Sequence, residues 1–180
     1  MVKILADLAI LALPVAAAVV RTRAASAPLE VVLFVDLQKY LGTWYEIATI
    51  PQRFQKGCVG VTAQYSLRPD GGIDVINTCR QDTLDGRVRS VHGQAWVVDK
   101  LTNAKLKVRF FWPFTGAYWI IGLDAGYRWA IVGHPNRKYL WILCRTPQMD
   151  NALYAELLKL IAAKGYDLGK IIRTPQPDGT

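Results

Sequence analysis

The sequence contains few of the side chains that carry enzyme chemistry. In 180 residues it has two histidines and three cysteines, and neither His92 nor His134 has a further ligand at the spacing of a metal site. A G-x-S-x-G nucleophile elbow, a glycine-rich phosphate loop and a C-x-x-C pair are all missing. We therefore expect a protein that is not an enzyme and that needs no cofactor or metal.

Long runs of like charge are also missing. The chain has 22 basic and 14 acidic residues, for a formal net charge of +8, but no four basic residues follow one another. Scattered basic residues indicate a solvated surface with some attraction to anionic membranes or amphiphiles. We expect no nucleic-acid partner, and the charge is compatible with peripheral contact with an anionic membrane.

Only the N-terminus carries a long apolar run. Lys3 precedes a 13-residue apolar stretch from Leu8 to Val20, which suits a signal sequence and is short for a membrane span of about 20 residues. We assign residues 1–27 to targeting and 28–35 to a linker, and we expect export to the periplasm. Because Arg21 and Arg23 follow the apolar run directly, an uncleaved membrane anchor is the alternative. Because no cysteine precedes Cys58, we expect no lipid attachment of the bacterial lipoprotein type.

Aromatic residues, in contrast, are abundant. Six Trp, eight Tyr and five Phe require a core to pack in or a cavity to line. A chain of this length suits one domain with a sizeable core. We place that domain at residues 36–174, followed by a tail at 175–180.

Eight segments have the alternating or β-rich composition of strands, with short turn motifs between them. They are residues 43–50, 59–67, 72–80, 89–98, 104–112, 117–123, 127–133 and 139–145. No connection can hold a crossover helix, so sequential neighbours should pair antiparallel. The prediction is an all-β, eight-stranded up-and-down barrel, which has room inside for one small ligand. A two-layer sandwich is the alternative.

One helix is predicted after the strands. Thr146 suits its N-cap, Pro147 its first position, and an apolar stripe continues to a stop at Gly165. We expect this helix to pack on the barrel wall. A short ninth strand is predicted at 170–173.

The alternation of hairpins assigns the two ends of the barrel. Loops 51–57, 81–88, 112–116 and 134–138 should share one end, the mouth, and turns 68–71, 99–103 and 124–126 the other, closed end. Closure sets the last strand beside the first, which brings Arg145 to Trp44. A guanidinium over that indole would stabilise the closed end by cation–π attraction, so we assign both residues a structural role.

Several segments resemble the lipocalin family. Residues 42–46 (GTWYE), 124–127 (DAGY) and 140–147 (LWILCRTP) resemble its three signature blocks in order and spacing. Residues 53–54, 65–68, 75–77 and 110–114 resemble the bacterial outer-membrane branch, which is related to apolipoprotein D and the plant temperature-induced lipocalins. The resemblance implies an eight-stranded calyx that binds fatty acids or lysophospholipids in the cell envelope and serves membrane maintenance. Many branch members are anchored through a lipidated cysteine that this sequence lacks.

The candidate ligand site is the barrel interior and its mouth. Leu106, Val108 and Phe110 alternate with charged residues, so they should face inward, as should Val61, Ala63 and Tyr65. Aromatic residues beside bases in the mouth loops suit an amphiphile whose tail enters the cavity and whose anionic head stays at the rim. The candidate ligand-binding residues are Glu46, Phe54, Tyr65, Phe110, Trp112, Phe114, Tyr118 and Trp141.

Alternatives to this interpretation remain for the ligand and for single residues. For Phe54 and Trp112, the alternative is that they pack the mouth loops against each other and do not contact a ligand. Glu46 should be paired with an Arg or Tyr inside the barrel, because a lone buried carboxylate is costly; contact with a ligand head group is the alternative. The ligand itself would otherwise be another apolar molecule, such as a tetrapyrrole or isoprenoid.

The three cysteines divide into a pair and a single residue. Cys58 and Cys79 lie at the mouth end of one hairpin, so in an oxidising compartment they should form a disulfide, with a strand bulge to adjust the register. Two small buried thiols are the alternative. Cys144 should be a buried free thiol under the helix; if it faced inward, a lipocalin-type isomerase would be possible.

Overall fold

The computed structural model describes residues 27–178, so residues 1–26 of the predicted targeting segment lie outside the described residues. Within this range, no helix combines the length and the apolar character that crossing a bilayer requires. The elements are α1 (Leu37–Tyr40), β1 (Gly42–Thr49), β2 (Cys58–Leu67), β3 (Ile73–Gln81), β4 (Val88–Val97), β5 (Lys105–Phe111), β6 (Phe114–Leu123), β7 (Trp129–Gly133), β8 (Leu140–Cys144), α2 (Asn151–Ala163) and β9 (Ile172–Arg173), with 3₁₀ turns at Arg53–Gln55 and Leu168–Lys170.

The first eight strands form a closed antiparallel barrel in sequential order. Each strand pairs with the next, and β1 also pairs with β8. The predicted up-and-down barrel is confirmed, and the sandwich alternative was wrong. Strand β6 begins at Phe114 rather than at Ala117, because Phe111 pairs with Phe114 across a tight hairpin at the mouth.

Two apolar clusters lie on opposite faces of the barrel wall. Inside, the cluster includes Trp44, Ile120 and Leu143. Outside, Leu157 and Ile161 of α2 pack on outward residues of β7 and β8. Because side chains alternate along each strand, its residues are divided between the two clusters. Each fully buried Leu or Ile contributes about 1.5–3 kcal/mol of hydrophobic stabilisation.

Helix α2 starts later than predicted. It begins at Asn151, and the carboxylate of Asp150 accepts hydrogen bonds from the backbone N–H groups of Ala152 and Leu153 at 2.9 and 3.0 Å. The predicted N-cap, Thr146, instead donates its hydroxyl to the carbonyl of Gln148 at 2.7 Å. Both residue types are good caps, but a carboxylate also interacts favourably with the positive end of the helix dipole.

A β-bulge in β1 changes which side chains share a face. Glu46 pairs with Leu143 of β8, whereas Ala48 pairs with Ile142, with a register shift between them. Trp44 and Glu46 therefore share the inner face, but Ala48 joins the outer cluster. The inserted residue reverses the alternation beyond it, which simple period-two counting does not anticipate.

The segment before α1, which we assigned to a linker, lies against the barrel. Leu29 and Val35 are buried. The N–H of Val32 donates to the carbonyl of Ile120 at 3.0 Å, and that of Val35 donates to Thr102 at 2.8 Å. These contacts cover the closed end of the barrel.

Residues 172–176, which we call the closing segment, fill a gap between β1 and β2. Those two strands pair directly only from Gly42 to Tyr45. Nearer the mouth, β9 pairs with β1, and the N–H of Gly60 in β2 donates to the carbonyl of Pro175 at 2.8 Å. The side-chain amide of Gln176 donates to the carbonyls of Glu46 and Val61 at 2.8 and 2.9 Å. The mouth half of the barrel is therefore closed by the chain's own C-terminal segment.

Cys58 and Cys79 form the predicted disulfide between β2 and β3, with their Cα atoms 5.4 Å apart. The expected bulge is present, because the register shifts between Val59 and Thr62. The bridge ties two strands together at the mouth.

Candidate functional site

Trp44 and Arg145 seal the closed end of the barrel. The guanidinium carbon of Arg145 lies 3.8 Å from the centroid of the Trp44 ring. Its nitrogens donate to the carbonyls of Thr43, Lys39 and Tyr127 at 2.9, 2.7 and 3.3 Å. This arrangement places the two residues together as the sequence predicted.

Above this seal, three tyrosine hydroxyls meet inside the barrel. The hydroxyl of Tyr118 lies 2.8 Å from that of Tyr40 and 2.9 Å from that of Tyr65. Burial raises the pKa of Tyr65 to about 12 and the pKa values of Tyr40 and Tyr118 well above their ordinary value. All three groups therefore stay protonated and neutral at physiological pH. We call them the tyrosine triad.

The interior is packed at the closed end and open nearer the mouth. Around the level of Trp44, inward-facing side chains are buried, including those of Val75, Ala130 and Leu143. Nearer the mouth, several inward-facing side chains keep part of their surface accessible. They are Val108, Phe110, Tyr118 and Trp141. Their incomplete burial indicates that the mouth half of the interior, above Tyr118, is less tightly filled than the closed end, and we call this part of the interior the hollow.

A pocket of about 390 Å³ lies where β4 and β5 separate. The two strands pair only between Gln94–Arg109 and Val97–Leu106, so they diverge toward the mouth. The pocket is lined by Gly93, Phe110 and Trp112 among others, and a Cβ at Gly93 would come within 2.6 Å of the Phe110 ring. The pocket is open to solvent, and most of its other lining residues, among them Ser66, Asp74 and His92, are polar.

The mouth carries exposed aromatic side chains. Phe54, Trp112 and Phe114 are 66%, 82% and 77% exposed. Exposure of this degree shows that Phe54 and Trp112 do not bury each other, so the alternative in which they pack the loops together was wrong.

The two ends of the barrel differ in charge. The mouth loops (51–57, 81–88, 112–116 and 134–138) hold five basic and two acidic residues, a net charge of +3. The closed-end turns (68–71, 99–103 and 124–126) hold two basic and three acidic residues, a net charge of −1. Phe54, Trp112 and Phe114 therefore lie at the more positive end, whereas Phe34, which is 58% exposed, lies in the segment before α1 at the closed end.

Glu46 is a buried carboxylate within a polar network near the mouth. Its Oε1 accepts from the Thr174 hydroxyl at 2.6 Å, and its Oε2 accepts from Gln55 Nε2 at 2.9 Å. Gln55 Oε1 in turn accepts from Trp141 Nε1 at 3.3 Å. The predicted Arg or Tyr partner was wrong, because the closing segment and the 3₁₀ turn of the mouth supply the donors. Burial raises the pKa of Glu46, and the two hydrogen bonds oppose that shift.

Asn77 adds a second polar group to the barrel interior. It pairs with the inward-facing Ala63, and its Oδ1 is buried without a hydrogen-bond partner among the described residues. This oxygen is available to a donor from a ligand or a water molecule.

Cys144 lies on the outer face of β8, in the cluster beneath α2. It is a buried free thiol, as predicted, with Sγ 3.4 Å from Thr146 Oγ1. The condition for an isomerase, a thiol facing the interior, is not met. Within residues 27–178, no three His, Cys, Asp or Glu side chains cluster as metal ligands would.

Comparison with known proteins gives the family. A model of the lipocalin-like domain matches residues 35–176. The chain belongs to the lipocalin family. The matched region begins at Val35 and ends at Gln176, so it includes the closing segment.

Curated relatives place this lipocalin near the predicted branch. It is 46% identical to the outer membrane lipoprotein Blc of Escherichia coli, over 79% of this chain and 80% of that protein. It is 42% identical to temperature-induced lipocalin-1 of Arabidopsis thaliana, over 83% and 84% of the two chains. Bovine apolipoprotein D is 33% identical over 78% and 77%.

Solved structures show the same fold at low sequence identity. Insecticyanin from the tobacco hornworm Manduca sexta has a TM-score of 0.67 and 20% identity, over 83% of this chain and 85% of that chain. Lobster apocrustacyanin A1 has a TM-score of 0.62 and 17% identity, over 78% and 79%. These likenesses support the shared fold alone.

The predicted ligand-binding residues of this lipocalin fall into three groups. Tyr65, Phe110, Tyr118 and Trp141 face the interior, Phe54, Trp112 and Phe114 lie exposed at the mouth, and Glu46 is buried between them. Sequence reasoning missed Tyr40, Gln55 and Thr174. Tyr40 is the last residue of α1, four residues before Trp44, and its hydroxyl reaches into the barrel. No sequence signal pointed to Thr174.

Proposed function

We propose that this lipocalin binds, and transports or stores, fatty acids and lysophospholipids for membrane maintenance in the bacterial cell envelope. The observation that supports this most is the accessible surface of inward-facing apolar side chains above a sealed closed end. An acyl chain would bury apolar surface there at about 25 cal/mol per Å².

The anionic head of the ligand stays at the mouth in this proposal. The mouth loops carry the net positive charge, including Arg53 and Lys56. A desolvated anion deep in the barrel would be costly, whereas one at the rim keeps its water and gains attraction from these bases. The acyl chain then enters toward Tyr118.

The mouth also faces the membrane from which ligands come. Trp112 and Phe114 project into solvent at the positive end, and aromatic rings partition well into the interface of a bilayer. An anionic bilayer thus fits this end in both charge and polarity.

Export to the periplasm and association with the outer membrane are part of the proposal. The Cys58–Cys79 disulfide suits an oxidising compartment, and the relative from Escherichia coli is named as an outer membrane lipoprotein. The sequence at residues 1–27 has the pattern of a signal segment.

Binding, rather than catalysis, is the activity we propose. Cys144 lies under α2 and away from the interior. A tetrapyrrole or a conjugated isoprenoid would give the purified protein visible absorbance, which fatty acids and lysophospholipids would not.

A fluorescence titration tests the proposal. Palmitic acid and lysophosphatidylethanolamine should each bind saturably at one site and change tryptophan emission. Val108→Trp should fill the hollow and weaken both by about tenfold or more, since it replaces ligand volume with side chain. Lys107→Trp is the matched control, because Lys107 is exposed on the opposite face of the same strand. Absence of saturable binding by the wild type, or equal affinities for the two variants, would contradict the proposal.

A further inference from the structure

We propose that the tyrosine triad is a second, polar subsite that binds a neutral oxygen at the buried end of the ligand's chain. This inference rests on the proposed function, since it concerns a ligand that enters tail first. It adds a substrate class to that function, namely amphiphiles whose chain ends in a hydroxyl or carbonyl group.

The argument starts from the number of hydroxyl hydrogens. Tyr40, Tyr65 and Tyr118 bring three O–H groups together, and the two oxygen–oxygen contacts use one hydrogen each. No other hydrogen bond joins these three oxygens to any described residue. One hydroxyl hydrogen is therefore left without an acceptor, and a buried donor in that state is unfavourable until something accepts from it.

The triad lies beneath the hollow, at the depth that the far end of a bound chain would reach. Tyr40 and Tyr65 are buried, whereas Tyr118, which joins them, keeps part of its surface accessible. Tyr118 faces inward on β6, four residues from Phe114 at the mouth, or about 13 Å along the strand at ~3.3 Å per residue. A chain that enters at the mouth reaches the triad with its far end.

The chemistry of the triad favours a neutral group over an anion. It offers one hydrogen and the lone pairs of phenol oxygens, which match a hydroxyl that both accepts and donates, or a carbonyl that accepts. A buried carboxylate would require several donors or a partner cation. The nearest cation, Arg145, lies against Trp44 and donates to three backbone carbonyls.

Matched ligand pairs test the inference. Lauric, myristic and palmitic acids are each compared with the ω-hydroxy derivative and with the apolar acid one carbon longer, which has the same number of heavy atoms as the derivative. If the chain end meets an apolar floor, the hydroxyl must lose its water and binding should weaken by about tenfold or more. If it meets the triad, at least one ω-hydroxy acid should bind about fivefold tighter than its apolar match.

The triple variant Tyr40→Phe/Tyr65→Phe/Tyr118→Phe separates the triad from the rest of the cavity. It removes all three hydroxyls and keeps the rings, so the ratio of affinities between an ω-hydroxy acid and its apolar match should lose the preference for the hydroxyl. Because the ratio is taken within one variant, it holds whatever the affinity of that variant for palmitic acid. Single variants are less informative, because Tyr118→Phe alone would free the other two hydroxyls. If the triple variant does not fold, the ligand pairs with the wild-type protein still decide the question.

Each outcome has a defined meaning. A hydroxyl preference in the wild type that disappears in the triple variant supports the inference. Two outcomes overturn the inference and leave the proposed function intact. In the first, palmitic acid binds but every ω-hydroxy acid binds more weakly. In the second, the preference for the hydroxyl persists in the triple variant. Failure of all the acids to bind overturns the proposed function itself.

Discussion

The guanidinium carbon of Arg145 lies 3.8 Å from the centroid of the Trp44 indole ring. Trp44 is fully buried, and its Nε1 donates to the carbonyl of Tyr40 at 2.8 Å. Arg145 follows β8 and Trp44 lies in β1. One contact therefore joins the first and last strands of the barrel, and the hollow above depends on it.

Replacing Trp44 with Ala should destabilise the protein by about 3–5 kcal/mol, because it removes a buried indole and leaves a cavity. Arg145→Lys should cost less, since the aliphatic stem can remain on the ring while the three carbonyl contacts are reduced. Denaturant unfolding measures both. A Trp44→Ala midpoint close to that of the wild type would be incompatible with the seal described here.

Glu46 should make stability depend on pH. Burial raises its pKa in the folded protein above the ordinary value of 4.5. Below pH 4.5 both the folded and the unfolded chain hold the proton, so the ionisation of Glu46 does not lower the free energy of unfolding. As pH rises from there through the folded pKa, the unfolded chain releases the proton first, and stability falls.

Glu46→Gln should remove this dependence. We subtract the free energy of unfolding of the wild type from that of the variant. This difference should increase from below pH 4.5 to neutral pH, by about 1.4 kcal/mol for each tenfold difference in the proton affinity of Glu46 between the folded and unfolded wild type. Glu156→Gln on the exposed side of α2 is the control and should follow the wild type. A difference that stays flat or declines with pH would refute the assignment.

The closing segment should contribute measurably to stability through Gln176. Gln176→Ala leaves the carbonyls of Glu46 and Val61 without that donor and should cost about 1–3 kcal/mol. Gln64→Ala, on the exposed face of β2, is the matched control. Hydrogen exchange should also quicken at Gly60, whose N–H donates to Pro175. Equal stability of the two variants would show that the segment does not hold the barrel closed.

Binding to vesicles should depend on the aromatic residues of the mouth. Trp112→Ser should reduce partitioning onto phosphatidylglycerol vesicles by about tenfold, because one large apolar side chain is lost from the interface. Leu101→Ser is the control, since Leu101 is 89% exposed at the closed end. Added salt or phosphatidylcholine should weaken wild-type binding. Equal loss of vesicle binding in Trp112→Ser and Leu101→Ser would show that the mouth is not the surface that contacts the membrane.

The parts of this fold that the sequence predicts are those that follow from local patterns. Alternation is a property of neighbouring residues, so the strands and the inward positions of Leu106, Val108 and Phe110 follow from it. Sequential pairing then brings the last strand to the first, which is why Trp44 and Arg145 could be matched at a separation of about a hundred residues.

Features that depend on competition or on distant contacts could not be predicted. Two good N-cap residues, Asp150 and Thr146, compete near α2, and the helix uses Asp150. The bulge before Ala48 reverses the alternation locally. The partner of Glu46 is Thr174, 128 residues away, and no local pattern marks a C-terminal segment that inserts between two strands.

Native mass spectrometry of the purified protein, combined with extraction and identification of any lipid, tests the carrier function most directly. We expect a one-to-one complex with a single-tailed amphiphile, either as purified or after addition of palmitic acid, and loss of that complex in Val108→Trp but not in Lys107→Trp. A protein that remains free of ligand at saturating palmitic acid and lysophospholipid, while folded and disulfide-bonded, would contradict it.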